Sequence, residues 1–234
     1  MRGELIGIIS EGTEDQGILQ TILKAFGFDG SEVRFIRPEL SRDATDRHDN
    51  TKTIGTLQGI KNSCLGKDGN RPDFEMAFLT GVKNIIIQAD TAEIEQQDFN
   101  IIRPKKVQNP NYSSDLRNIF IATINDWLDN KYKDCLLYAI SIEEIESWCL
   151  TAFEKKDTID IIDSKGKLKR HLNRMNLTYA KLKLDPGKDK REYFSAIMRK
   201  KNFHKIKNLK EYCKYNQSLD DFISSLEKIF FVDN

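Results

Sequence analysis

Three strand-like runs in this chain end in acid, and that recurrence is its first chemical signal. Residues 4–10 (ELIGIIS) lead into Glu11, residues 83–88 (KNIIIQ) lead through Ala89 into Asp90, and residues 135–140 (CLLYAI) lead into Glu143, Glu144 and Glu146. In an open parallel sheet, ligands gather outside the carboxyl ends of the strands. Carboxylates brought there from separate strands repel one another unless a cation joins them. Mg²⁺, or Mn²⁺ in its place, suits such a set: it takes one or two carboxylates and fills its other positions with water and phosphate oxygen. The acids that strand-end placement offers to such an ion are Glu11, Asp90 and the group Glu143, Glu144 and Glu146. The expected role of the cation is to polarise a phosphate and orient an attacking water.

Each acid also has a plainer reading. Glu11-Gly12 can be a tight turn, with Thr13 capping a helix and Glu14 and Asp15 favouring its N-terminal dipole. Asp90-Thr91 can open a helix, with Glu93 placed for a capping box. Joint occurrence on separate central strands favours the divalent-ion site. Glu143, Glu144 and Glu146 cannot share one helical face, so at least one is expected in solvent. Trp148 is expected in the core.

Other chemistries lack a motif. There is no Gly-x-Gly-x-x-Gly and no Walker A sequence, which disfavours nucleotide-triphosphate hydrolysis. No Cys-x-x-Cys pair occurs among Cys64, Cys135, Cys149 and Cys213, and His48, His171 and His204 are scattered without ligand spacing. Zinc and disulfides are therefore not expected. The apolar runs are strand-sized and far too short to span a bilayer, and the N-terminus runs straight into a strand without a signal-peptide pattern. The expected location is the cytoplasm.

The elements that must carry the acids follow from periodicity. Residues 4–10 read as a strand covered on both faces. Ile18, Leu19, Ile22, Leu23 and Phe26 then repeat at helical spacing until Gly27. A second strand is expected at 33–36, a charged loop at 37–50, helices through Ile54–Cys64 and 73–80, and a glycine-rich break at 66–72. A long loop at 91–112 precedes a helix that Ser114 would cap, with Leu116, Phe120, Ile124, Trp127 and Leu128 on one side. Residues 143–153 and a segment starting at Ser218 complete the helices, with a turn at Asp185-Pro186-Gly187. Alternating strands and helices predict an α/β, Rossmann-like, mostly parallel sheet flanked by helices. Its expected span is residues 1–154, with a basic, mainly helical region at 155–234 packed on it.

The net charge of +1 hides a split: residues 1–154 carry 17 Lys/Arg against 25 Asp/Glu, and residues 155–214 carry 19 against 7. An acidic part that collects a cation beside a basic part that neutralises phosphates is what a phosphodiester enzyme needs. A solvated lysine-rich surface is the bland counterpart. The nucleic-acid contacts expected from this segment are Lys169, Arg170, Arg174, Lys190, Arg191, Lys200 and Lys201, with Lys165, Lys167, Lys188 and Arg199 nearby. The interleaved Tyr179, Tyr193, Phe194 and Phe203 are types that stack on bases, though their spacing reads first as core.

A strand, then Glu-Gly-x-x-Asp/Glu, then a helix, then a later strand ending in an Asp-centred cluster resembles the TOPRIM domain of topoisomerases, primases and OLD-type nucleases. The first motif stands here as Ile8-Ile9-Ser10-Glu11-Gly12-Thr13-Glu14-Asp15 and the second as Ile87-Gln88-Ala89-Asp90-Thr91-Ala92-Glu93. The stretch from Ser141 to Trp148 is similar to the E-x-E-x-W region of small bacterial TOPRIM-like proteins of the DUF4276 and RloB-like kind. Residues 213–222 (CKYNQSLDDF) are similar to their closing segment. The resemblance implies a TOPRIM-type fold and an Mg²⁺-dependent nuclease acting on DNA or RNA, in processing or phage defence. It gives Glu11 a general acid/base or ligand role, has Asp90 and Glu93 hold Mg²⁺ and makes Glu146 a supporting acid. The ligand set it implies is therefore Glu11, Asp90, Glu93 and Glu146, with Glu11 and Asp90 the catalytic pair. Typical members carry Asp-x-Asp in the second motif; here Ala92 occupies the second position, with Glu93 or Asp98 as replacement. Two alternatives stay open: a non-catalytic binding or regulatory subunit working with a separately encoded ATPase, and nucleotidyl transfer as in primases.

Overall fold

The computed structural model describes residues 3–38, 56–66, 73–95, 99, 101–185 and 190–231. His48, Asp98, Lys188, the turn at Pro186-Gly187 and most of the expected loop at 37–50 lie outside the described residues. Four strands, β1 (Leu5–Ile9), β2 (Val33–Arg37), β3 (Val82–Asp90) and β4 (Leu136–Ser141), form one all-parallel sheet in the order β2-β1-β3-β4. The expected α/β, Rossmann-like class is what the chain adopts.

The isoleucine runs form strands because both faces of each strand are covered. Along β1, β3 and β4, Ile6, Ile8, Ile86, Leu137 and Ala139 enter one core, while Ile9, Ile85, Ile87, Ala89, Leu136 and Ile140 enter the other. That is the period of two expected of a strand. On the first face lie α1 (Thr13–Ala25), α5 (Glu146–Glu154), α6 (Ser164–Arg174), α7 (Lys190–Lys200), α8 (Ile206–Cys213) and α9 (Gln217–Phe230). On the second lie α2 (Leu57–Leu65), α3 (Asp73–Leu79) and α4 (Tyr112–Trp127). The basic C-terminal helices thus share one continuous core with the sheet. No helix among the described residues is long and apolar enough to cross a membrane.

Local expectations shift where a neighbour supplies the cap. α1 starts from Gly12, not Thr13, because the Asp15 carboxylate takes the Gly12 N–H at 2.7 Å. α4 begins at Tyr112 from Asn111, leaving Ser114 inside the helix. α5 begins at Glu146, three residues later than its sequence suggests, because Glu143 turns the chain at φ 61° and its N–H is taken by the Thr91 hydroxyl at 2.8 Å. α9 is capped by Asn216, whose side-chain oxygen accepts from Leu219 N at 3.1 Å. Trp148 is buried as expected, stacked on Phe222, with its indole N–H donated to Ser218 Oγ at 2.8 Å. All four cysteines are free, and Cys135 is only partly buried.

One close approach sets the position of the basic part. A Cβ on Gly17 would stand 2.3 Å from the Arg191 carbonyl oxygen, so α7 lies against α1 only because residue 17 has no side chain. Thr21 and Ser195 continue the seam with a hydroxyl pair at 3.1 Å. Alanine in a helix interior is worth about 1 kcal/mol over glycine, whereas overpacking against backbone loses about 1–3 kcal/mol. Gly17→Ala is therefore expected to lower stability by up to about 2 kcal/mol net, read as a fall in urea midpoint; a raised midpoint would contradict this packing.

Candidate active site

In a sheet of order β2-β1-β3-β4 the chain leaves β1 in one direction to reach β2 and in the other to reach β3 and β4. The crevice at the carboxyl ends of β1 and β3 is where such folds bind ligands. Ile9 pairs with Ile87, so Glu11, two residues on, comes level with the end of β3. The Asp90 N–H donates to Glu11 Oε1 at 2.7 Å, and the Glu11 N–H donates to Gln88 Oε1 at 3.1 Å. Gln88 is fully buried and spans the pair, since its Nε2 also donates to Asp90 Oδ1 at 2.9 Å.

Asp90 is held more tightly still. Ser141, paired with it across β3 and β4, donates its hydroxyl to Oδ1, and the Ile145 N–H donates to the same oxygen at 3.1 Å. Three donors on Oδ1 fix the carboxylate, and no described residue donates to Oδ2. Glu11 is similar: Oε1 is engaged and Oε2 has no described donor.

The three glutamates after β4 diverge because Glu143 and Glu144 lie in the turn before α5, and none of them is left fully in solvent, unlike the expectation for one helical face. Glu143 accepts from Arg103 at 3.0 Å, and Arg103 also reaches the Thr91 carbonyl and the Tyr112 hydroxyl, bracing the loops behind Asp90. Glu144 accepts from Ser164 Oγ at 2.7 Å and Lys165 N at 2.9 Å, anchoring the start of α6. Glu146 alone turns inward; it is 3% exposed and lies 3.7 Å from Lys165 Nζ.

The electrostatics show which acids converge. Burial pushes the Glu11 carboxyl up from its usual 4.5 to about 7, against the Asp90 N–H, with Glu93 and Glu146 adding repulsion. Burial, then Glu11 and Asp15, push Asp90 up. Burial, then Glu146 and Glu11, push Asp15 up, and burial outweighs Lys165 in raising Glu146. Although burial opposes its charge, Lys165 is raised by Glu146, Glu14, Asp15 and Glu144. Of the expected ligands, Glu11 and Asp90 meet here, and Glu146 is near enough for its charge to act on both. Glu93 is exposed in the turn after Asp90 but close enough for its charge to act on Glu11. Ala92 is also exposed, and its N–H bonds to the Glu143 carbonyl at 3.1 Å.

Asp15, Gln88 and Ser141 are the site residues that sequence reasoning missed, and Lys165, read there only as a cation near the expected nucleic-acid contacts, joins them. Asp15 had a signal in its place at the end of Glu-Gly-x-x-Asp, three residues into the helix, where a side chain can reach back to the cap. The donor set suits a hard divalent ion: oxygen ligands only, excess negative charge, and carboxylate oxygens left without protein donors. Among the described residues no three His, Cys, Asp or Glu side chains form a ready cage; Mg²⁺ ordinarily uses one or two carboxylates and several waters.

The expected cationic residues separate. Lys165, Lys169 and Lys190 border a cleft that also reaches Glu14 and Glu146, and Lys190 pairs with Glu14 at 2.7 Å. Arg170, Arg174 and Lys200 are exposed; Arg170 lies 3.4 Å from Asp163. Arg191 lies over the Phe35 ring at 4.3 Å and Lys201 over Phe153 at 3.9 Å, so these two pack on aromatics within the fold. Lys200 and Lys201 stand at the far end of α7, about 15 Å from Lys190 by helical rise. Phe203 is buried, whereas Tyr179, Tyr193 and Phe194 are only partly covered and line the cleft.

Comparison with known proteins brings no family: no family model matches the chain, and no curated protein or solved structure matches it.

The raised acids make a pH prediction whose sign is fixed. Between 4.5 and about 7 the folded chain keeps the Glu11 proton that the unfolded chain has lost. That stability is present below 4.5 and disappears as pH rises through 7, on the order of 3 kcal/mol for Glu11 alone. Asp15, Asp90 and Glu146 act in the same direction. Without divalent ions, the melting temperature is expected to fall from about pH 5 to about pH 7.5, and less steeply in Glu11→Gln. Millimolar Mg²⁺ is expected to restore more stability at the higher pH, because ligands bind deprotonated. Equal slopes in wild type and variant would refute the assignment to Glu11.

Proposed function

We propose that this chain is a divalent-cation-dependent phosphodiesterase of TOPRIM-like type that cleaves nucleic acid. The observation that carries the reading is the convergence of Glu11, Asp15, Asp90 and Glu146 at the topological switch point, each driven up by burial and all but Glu146 by the other acids as well. Glu11 and Asp90 would hold Mg²⁺ or Mn²⁺, with Glu146 supporting and Glu93 at the rim. When bound, such an ion supplies the charge that polarises a phosphodiester and orients water.

The chain's own residues provide the rest. Where Asp90 holds the ion without Glu11, a Glu11 carboxyl that burial raises to about 7 is poised to take and hold a proton, so its Oε2 suits a general base as the alternative to a ligand. Asp90 stays fixed because Gln88, Ser141 and the Ile145 N–H share its Oδ1. Lys165, beside Glu146, offers an ammonium to a phosphate at the same mouth. The split between an acidic sheet and basic helices supports a polyanionic substrate.

The second reading, a non-catalytic nucleic-acid-binding or regulatory subunit that works with a separately encoded ATPase, rests on Ala92. The position where the resemblance calls for a second aspartate carries no carboxylate, and the neighbouring Glu93 faces solvent. The two readings separate in a cleavage assay on labelled DNA and RNA with Mg²⁺ or Mn²⁺. Glu11→Gln and Asp90→Asn are each expected to reduce cleavage at least about 100-fold with folding retained. Cleavage surviving in both would remove the site; a wild-type chain that binds nucleic acid and never cuts would establish the second reading.

A further inference from the structure

Between α6 and α7 the surface opens into a cleft of about 490 Å³, within the range that takes one nucleotide-sized ligand. Leu168 and Leu172 line it from α6, and Tyr193 and Phe194 line it from α7. Tyr179, in the turn after α6, stacks on Tyr193 with ring centroids 4.3 Å apart and planes 15° from parallel. The Tyr193 hydroxyl donates to the Leu177 carbonyl at 2.7 Å, so the aromatic pair is set in place before any ligand arrives.

The polar lining of this cleft is paired: Lys190 lies 2.7 Å from Glu14 and Lys165 lies 3.7 Å from Glu146. Tyr193 and Phe194 follow Lys190 by about one turn of α7, so flat apolar surface, ammonium groups and cation-collecting carboxylates share one cleft and match a base, its phosphate and a reacting bond. A duplex keeps its bases paired and stacked, out of reach of the aromatic pair.

We propose that this cleft receives one unpaired base of a single-stranded nucleic acid, stacked on the Tyr179–Tyr193 pair, with its phosphate on Lys165, Lys169 and Lys190. The assignment rests on the phosphodiesterase reading for its substrate class and narrows it to unpaired strands. Sequence-tolerant stacking of this kind implies weak base preference and strong dependence on salt.

The test reads binding without cleavage: fluorescence anisotropy of a labelled ten-nucleotide single strand on the full chain in EDTA. Single strand is expected to bind at least tenfold more tightly than the same strand paired with its complement. Tyr179→Ala is expected to lose about tenfold, the usual scale for removing a base-stacking aromatic, and Tyr179→Phe to bind as wild type. Lys169→Ala, on an exposed residue that cannot disturb the core, is expected to lower the slope of log affinity against log salt by about 0.7. This slope carries the test if Tyr179→Ala does not fold. Competition by a free 5′-mononucleotide would show that one nucleotide suffices, and competition by strands alone would show that flanking phosphates are needed; both support the cleft if Tyr179→Ala abolishes them. Equal affinity for duplex, or an unchanged affinity in a folded Tyr179→Ala, would overturn it. A chain that binds in this way yet never cleaves would sink the phosphodiesterase reading alone; one that cleaves with Tyr179 dispensable would sink the cleft alone.

Discussion

The hydrogen bond from the Asp90 N–H to the Glu11 carboxylate joins the ends of two central strands, and the parallel register makes it possible. Shift β1 against β3 by one residue and Glu11 would face the other side, since side chains alternate along a strand. The register is fixed by isoleucines buried on both faces of the sheet. The core therefore does more than stabilise the fold: it forces two carboxylates into a space where burial raises both, with Glu11 adding to Asp90 and with Glu93 and Glu146 adding to Glu11. Such an arrangement opposes folding at neutral pH unless something positive enters. The local polar framework is consistent with that demand, because Gln88, Ser141 and the backbone of Ile145 satisfy one oxygen of Asp90 and leave the other available.

The second constraint is the approach of α7 to α1. Gly17 admits the Arg191 carbonyl, and the Thr21–Ser195 pair continues the contact one turn on. From that seam follow the Lys190–Glu14 ion pair and one wall of the cleft. On the other side, Glu144 anchors α6 through Ser164 and the Lys165 N–H, and so delivers the Lys165 ammonium to Glu146. Two helices of the basic segment are thus positioned by residues that follow the site strands directly in sequence. Arg103 has a comparable part behind the site, tying Glu143 and Thr91 so that the turn at φ 61° keeps the start of α5 beside Asp90.

How much of this was legible in the sequence depended on how local its cause is. The strands were readable because continuous isoleucine runs suit a doubly covered sheet, and Glu11 and Asp90 because they sit directly at strand ends. Trp148 was readable as core from the apolar face of its helix. The start of α5 was not, since it depends on a turn locked by Thr91, some fifty residues away in the chain. Asp15 was hidden because an acid in the first turn of a helix has an ordinary dipole explanation. Nothing in the spacing of Tyr179 and Tyr193 separates a core pair from a cleft lining; only the approach of α7 to α6 exposes them. The basic residues were read as one group, yet Arg191 and Lys201 pack over Phe35 and Phe153 while Lys165 and Lys190 face carboxylates.

That last division bears on what the charge split means. Exposed ion pairs contribute little to stability, typically under about 1 kcal/mol, so the half-exposed lysines beside Glu14 and Glu146 are weakly explained by folding alone. The Lys165 ammonium acts on Glu11 and Glu146, and an entering cation would relieve those acids more directly than a lysine 3.7 Å from Glu146. On the proposed reading, a cation that took over Glu146 would remove the foremost acid that raises Lys165 and would leave that ammonium to meet an anion at the same mouth. The acidic sheet and the basic helices would then be two halves of one arrangement, in which a cation on the carboxylates leaves the adjoining lysines to phosphate.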